Sequence, residues 1–197
     1  MKPNIYSEIG PLNKVFVFSP GDEHNDVLPK NIQPYIKNDK KIVENQDFLL
    51  FDDIVNLKSA KTQHEAFFDI INFYKTDSCY DLRSDFLEII DDLNIKIDYP
   101  IINLIYPRDI SAIIGKLVLL TKSSSQVRSI ENKITKHFFL NNKFFRDVEI
   151  IDFKEVGKGL SLEGGDIFVL NNDIVMIGIS ERTSLEAINL AIPYIFN

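Results

Sequence analysis

The tandem Gly164-Gly165, set between Glu163 and Asp166 and followed at once by two apolar runs, constrains this chain more than any other stretch. Paired glycines let the backbone turn sharply and come close to whatever the flanking acids hold, so a cation-binding turn is expected there. Residues 166–170 and 173–180 read as the two strands of a hairpin. Asn171, Asn172 and Asp173 between them have the side chains, and the tolerance of positive φ, that a tight turn needs. Arg182 follows just past the second strand, at the kind of position from which ligand-binding groups project.

A length of 197 residues and an apolar fraction of 45% are enough for one domain with a sizeable core. The excess of 29 acidic over 22 basic side chains, a formal charge of −7, disfavours a nucleic-acid or anionic-membrane partner and is compatible with a cationic small ligand. The single cysteine, Cys79, excludes an intrachain disulfide framework and a multi-cysteine zinc site, which favours a reducing compartment. The first ten residues lack the apolar stretch of a signal peptide, and Lys116 interrupts the longest apolar run. The expectation is therefore a cytoplasmic protein that does not span a membrane.

Along the chain, residues 14–19 read as a strand closed by Pro20-Gly21, and 22–47 as a polar surface connection with a solvated charged loop at 37–41. Residues 54–74 and 81–93 carry apolar side chains at helical spacing. Residues 101–106 and 116–121 read as strands separated by Pro107-Arg108-Asp109 and Gly115. Residues 125–138 then read as a helix and 149–153 as a strand, and 184–192 as a last helix that Pro193 should stop. Strands alternating with helices after Pro100 predict an α/β fold, and the length a single domain over 1–197.

Five segments occur in order: YSEIG at 6–10, LLFDDI at 49–54, NLIYPRD at 103–109, LEGGD at 162–166 and ISERTS at 179–184. Together they resemble the arginine deiminase branch of the guanidino-group-modifying (pentein) superfamily. The resemblance implies an incomplete pentein-type α/β propeller, with about three of the family's five ββαβ units present and a helical insertion at about 54–95. It also implies the family reaction, hydrolysis of L-arginine to citrulline and ammonia with neither metal nor cofactor. In that reaction a cysteine thiolate attacks the guanidinium carbon, a histidine moves protons and carboxylates bind the guanidinium N–H groups. Carried over by position, Asp109 matches the guanidinium-binding aspartate, and Glu163 the glutamate that contacts substrate and orients the histidine. Asp166 takes the last acidic position of its motif. Asn103, Arg128 and Arg182 match residues that hold the α-carboxylate, and Tyr106 replaces a pocket-lining aromatic. Departures include Phe18-Ser19 where the family has His-Arg, Ile102 for a proline, Tyr106-Pro107 for Phe-Thr, and a shorter stretch between Ile54 and Asn103.

In the family the catalytic histidine and the nucleophilic cysteine lie downstream of ISERTS, and neither segment is found within these residues. The expectation is a chain inactive alone unless a C-terminal polypeptide complements it. The alternative is a non-catalytic protein that binds a guanidino ligand or a partner and covers its open edges by homo-oligomerisation. Plainer readings of single residues remain open at this point. Asp109 and Glu163 are also placed to cap turns or pair with Arg108 and Arg182, and Arg128 to pair with Glu131 on a helix surface. His24, in a polar loop, His64 and His137 read as structural or surface histidines. Cys79, beside an acid, reads as an ordinary thiol on a helix edge.

Overall fold

The structure, a computed structural model, describes residues 3–196; Met1, Lys2 and Asn197, which belong to the terminal readings above, lie outside them. It is a mixed α/β protein whose small open sheets form no closed barrel among the described residues, and it divides into two compact units.

The first unit comprises Leu12–Tyr106 and Gln126–Ile130. In order it carries β1 (Val15–Val17), β2 (Tyr35–Asn38), β3 (Lys41–Glu44), α1 (Leu57–Tyr74), β4 (Cys79–Asp81) and α2 (Arg83–Leu93). β1 and β4 pair in parallel with Val15 opposite Cys79, a pairing that needs the long crossover containing α1. Asn56 starts α1 by accepting the Ser59 N–H at 3.0 Å, and Asn94 ends α2 in a left-handed conformation. Val27, Leu49, Ile102 and Val127 form a buried cluster. Phe18, 2% exposed, packs edge-on against Phe86 while the Arg83 guanidinium stacks on its ring at 4.3 Å.

The second unit comprises residues 3–11, Pro107–Ser125 and 131–196. Its elements are β5 (Ser111–Ile114), β6 (Leu117–Leu120), α3 (Ser129–Asn141, its first two residues counted with the first unit), β7 (Glu149–Asp152), α4 (Phe153–Val156), β8 (Ile167–Val169), β9 (Val175–Ile177) and α5 (Leu185–Ile195). β5 and β6 form an antiparallel hairpin, and β7 returns after α3 to lie parallel to β6, which makes one ββαβ unit. Gly115, at φ +57°, allows the turn between β5 and β6, and Ile5 exchanges backbone hydrogen bonds with it. β8 and β9 pair in antiparallel register, with Ile167 and Val169 turned into the core and Phe168 exposed. Ala112, Leu119, Phe153, Leu162, Ile167 and Val169 meet Ala187 and Ala191, two small residues one turn apart that bring α5 close to the sheet. Burying each large apolar side chain here contributes about 1.5–3 kcal/mol.

Several expectations are corrected. Residues 101–106 are not a strand. Between Pro100 and Pro107 the chain makes a 3-10 turn at Ile102–Ile105, with the Leu104 and Tyr106 N–H groups bonded to the Ile101 and Asn103 carbonyls. β5 was not foreseen, because its four residues follow directly on the Pro107–Ile110 turn. The stretch 22–47 holds two 3-10 turns and the hairpin β2–β3, whose tip carries the charged run with Asp39 at φ 52°. α3 begins at Ser129 after a 3-10 turn at Gln126–Arg128 and runs on to Asn141. Pro193 does not stop α5. It sits in the last turn, where its missing N–H removes one bond, and the Phe196 N–H still reaches the Ile192 carbonyl. Cys79 lies on β4 rather than on a helix edge, and His24, read in a polar loop, lies in a 3-10 turn at Asp22–Asp26 and is buried at 3% exposure, a structural rather than a surface histidine.

Candidate functional site

Two short turns of the second unit come together. Leu162 exchanges backbone bonds with Lys122 in both directions, at 2.9 and 3.0 Å, which fixes where the 162–166 segment leaves the core. A 3-10 turn at Gly164–Asp166 follows, beside the one at Pro107–Ile110. Only glycine fits at 164, because a Cβ there would lie 2.1 Å from the Arg108 carbonyl oxygen. A Cβ on Gly165 would lie 2.7 Å from Asp109 Oδ1, so the Asp109 carboxylate rests against this glycine. The Asp109 carbonyl accepts the Thr121 hydroxyl at 2.7 Å, which anchors the backbone beneath that carboxylate.

Glu163 is 3% exposed and fully engaged. Its Oε1 accepts the Ser123 hydroxyl at 2.8 Å, and its Oε2 lies 3.2 Å from Nη1 of Arg182, a side chain half exposed above it. The Glu163 N–H donates to Thr183 Oγ1 at 3.0 Å. Asp166 accepts two hydroxyls on one oxygen, Oδ2, from Ser180 at 2.9 Å and Thr183 at 2.5 Å. The segment 179–184 is itself a closed turn, with Ser180 and Thr183 exchanging backbone bonds and the Arg182 N–H on Ser180 Oγ. The structure thus brings Asp109, Glu163, Asp166 and Arg182 into one neighbourhood, and it makes the Glu163–Arg182 pair that the plainer reading anticipated.

Arg108 is not paired with Asp109. It donates through Nη2 to Glu8 Oε1 at 2.8 Å and to the Ile167 carbonyl at 2.6 Å, and through Nε to the Gly164 carbonyl at 3.1 Å. Glu8 Oε1 also accepts the Val169 N–H at 2.9 Å. Burial pushes the Glu8 carboxyl up, but the Arg108 hydrogen bond, the Val169 N–H and the Arg108 charge outweigh it and hold it below its ordinary value. Sequence reasoning missed this clamp of the glycine turn, although the YSEIG segment already marked Glu8.

Asn103, Tyr106 and Arg128 belong to the first unit. Arg128 is 1% exposed and donates through Nη2 to the Asn103 carbonyl at 3.0 Å, while Asn103 Nδ2 donates to the Leu49 carbonyl at 2.7 Å. Burial of Arg128, in a 3-10 turn, places it off the helix surface that the plainer reading gave it. A guanidinium taken out of water needs partners on all its edges, and a surface ion pair would leave most of them hydrated. Tyr106 is half exposed, its ring 6.0 Å from that of Phe51.

The first unit also holds clefts lined by other residues. One, of about 600 Å³, is lined by Lys61, His64, Phe68, Asp81 and Arg83. Lys61 is already paired with Asp22 at 3.0 Å and Arg83 with Glu23 at 2.5 Å. Burial holds the His64 imidazole below its ordinary value, and the Arg83 charge adds to it against the opposing Asp81 and Glu65. Burial also raises the Cys79 thiol, with Asp81 adding to it and Lys14 opposing, which is the setting of an unreactive cysteine. His24 Nε2 is buried without a hydrogen-bond partner.

The second unit is thus a mixed α/β frame with a ββαβ run, whose carboxylates gather where the Gly164–Asp166 turn packs on the Pro107–Ile110 turn. The family model for arginine deiminase matches residues 81–197. The chain belongs to the arginine deiminase family. It is 28% identical to the arginine deiminase of Borrelia garinii over 249 aligned positions, covering 94% of this chain and 57% of that protein. It is 24% identical to that of Mycoplasma capricolum over 253 positions, covering 100% of this chain and 59% of the relative. Over a shorter stretch of 104 residues it is 36% identical to that of Metamycoplasma arthritidis. The chain therefore spans under two thirds of the length of these relatives. The alignments are longer than its 197 residues, so the relatives also carry internal residues that it lacks. Among the described residues no helix is long and apolar enough to cross a membrane.

Proposed function

We propose that this chain supplies the guanidinium-binding part of an arginine deiminase-type hydrolase acting on L-arginine or a closely related guanidino compound in the cytoplasm. In this reading both units belong to one pentein-type domain, in which the ββαβ run from β5 to β7 is one unit and β8, β9 and α5 begin the next. The observation that carries the proposal is Glu163. It is a buried carboxylate with one oxygen fixed by Ser123 and the other already facing a guanidinium, that of Arg182. A planar cation with five donors pairs with carboxylates in a defined orientation, and Glu163 and Asp109 together would hold the guanidinium carbon still for attack.

On binding, the substrate guanidinium takes the place of Arg182 on Glu163, and Arg182, half exposed, turns to the substrate carboxylate. Asp166 accepts a further N–H. A cysteine thiolate and a histidine, supplied by sequence beyond these 197 residues, complete the chemistry. The thiolate adds to the guanidinium carbon, ammonia leaves with a proton from the histidine, and water hydrolyses the thiouronium to citrulline and returns the thiolate.

The test measures citrulline release from arginine by the purified chain, alone and mixed with a polypeptide comprising the part of the Borrelia garinii relative that follows the matched stretch. No citrulline from the chain alone and release from the mixture is the expected result. Turnover by the chain alone, or none by a mixture that does assemble, contradicts the proposal.

A further inference from the structure

We propose that Thr183 is a positioning residue, one that fixes Glu163 and Asp166 relative to one another and leaves Asp166 a single oxygen with which to meet a ligand. The inference rests on the reading of this turn as an arginine site and extends it to a residue outside the acid and arginine set.

Thr183 is 0% exposed, and its side chain lies between the two acids. Its Oγ1 accepts the Glu163 N–H at 3.0 Å and lies 2.5 Å from Asp166 Oδ2. A hydroxyl has one hydrogen. With the Glu163 N–H directed at the oxygen, that hydrogen is the one that joins it to Asp166, so the contact is Thr183 O–H donating to a carboxylate. The Ser180 hydroxyl donates to the same Oδ2 at 2.9 Å. Two hydroxyls on Oδ2 leave Oδ1 as the oxygen of Asp166 open to a ligand. Asp166 therefore accepts one N–H and cannot clasp both prongs of a guanidinium fork, which leaves fork recognition to Glu163 and Asp109.

Sequence position supports the same role. Thr183 stands directly after Arg182 and directly before Ser184, whose hydroxyl accepts the Ala187 N–H at 3.2 Å and starts α5. α5 is held by the buried Ala187 and Ala191, so Thr183 is carried on a rigid base. It reaches Glu163 across 20 residues of sequence, tying the end of the hairpin connection back to the glycine turn. A valine has nearly the shape of threonine but neither donates nor accepts.

The experiment compares the 197-residue chain with T183V and T183S by two readouts, the amide resonance of Glu163 in ¹⁵N-labelled protein and calorimetric titration with L-arginine. In T183V the Glu163 resonance shifts and its exchange with solvent quickens, and arginine affinity falls about tenfold, as expected for a lost charge-assisted hydrogen bond. T183S, which keeps the hydroxyl, restores both to near wild type. An unchanged Glu163 amide in folded T183V overturns the inference, as does a shifted amide with unaltered affinity. If valine is not accommodated, T183A against T183S isolates the hydroxyl in the same two measurements. A wild-type chain that gives no heat with arginine counts against the arginine reading, while the bridge from Thr183 to Glu163 still stands or falls on the amide.

Discussion

Alanine at Gly164 and alanine at Gly165 are expected to fail in different ways although the two residues are neighbours. At Gly164 the added Cβ would lie 2.1 Å from the Arg108 carbonyl oxygen and 2.9 Å from that of Ser111. Both obstacles are backbone, so neither can rotate away, and relief requires the glycine turn to separate from the 107–110 turn. That separation also breaks the Arg108 Nε bond to the Gly164 carbonyl. Overpacking of this kind costs about 1–3 kcal/mol, and the depth of this overlap places it at the upper end, about 3 kcal/mol. For a chain of this size that lowers the melting temperature by roughly 10 °C. At Gly165 the Cβ meets only Asp109 Oδ1, at 2.7 Å, and a carboxylate can turn. Gly165 is also exposed, so G165A should change stability by no more than about 0.5 kcal/mol. It should nonetheless displace the Asp109 carboxylate and weaken arginine binding about tenfold. Thermal unfolding and calorimetric titration of both variants decide the matter. A G164A protein melting within a degree or two of wild type would refute the packing argument. A G165A protein with wild-type affinity would refute the placement of Asp109 at the ligand.

Three further outcomes are expected. Glu8, held below its ordinary value of 4.5, contributes stability that is fully present above that value and is lost as pH falls through its depressed folded value, so E8Q should flatten the acid limb of a stability profile measured by denaturant unfolding. His24 is held below its ordinary 6.5 by burial, with Arg83 and Lys61 adding and Glu23 opposing. Its folded form resists protonation, and stability declines as pH drops below 6.5. H24F should remove that part of the decline and, by deleting an unpaired buried nitrogen, raise stability at neutral pH by about 1 kcal/mol. R128K, which cannot reproduce the planar fork of a buried guanidinium, should lower stability by about 2 kcal/mol or more in the same unfolding assay.

The parts of the fold that were legible in the sequence are those with a local cause. Two apolar runs joined by Asn171, Asn172 and Asp173 predict the β8–β9 hairpin, because the turn residues and the strands they join are adjacent in sequence, and the apolar spacing over 54–74 and 81–93 marks α1 and α2. What was not legible depends on residues far apart in sequence. Ile101–Tyr106 has strand-like composition, yet Ile102, Asn103 and Leu104 are buried in a 3-10 turn whose Asn103 is held by Leu49, 54 residues away. Pro193 follows a general rule for helix ends, but a proline in the last turn removes a single bond and the packing of Ala187 and Ala191 outweighs it. At the site, the acids were visible as types beside glycines, whereas their partners were not. Ser123 and Thr183 are ordinary residues until the turns are folded together. The burial of Arg128, likewise, is a tertiary fact that its position near a helix start does not encode.

The account turns on Glu163 as a guanidinium acceptor, and the most direct test is calorimetric titration of L-arginine into the wild-type chain and into E163Q. Glutamine keeps the size of the side chain and a carbonyl for Ser123 while removing the charge that faces Arg182. The predicted result is saturable binding by the wild type and a loss of at least about tenfold in E163Q, with little change in melting temperature. Equal binding by both proteins, or none by the wild type, would contradict it.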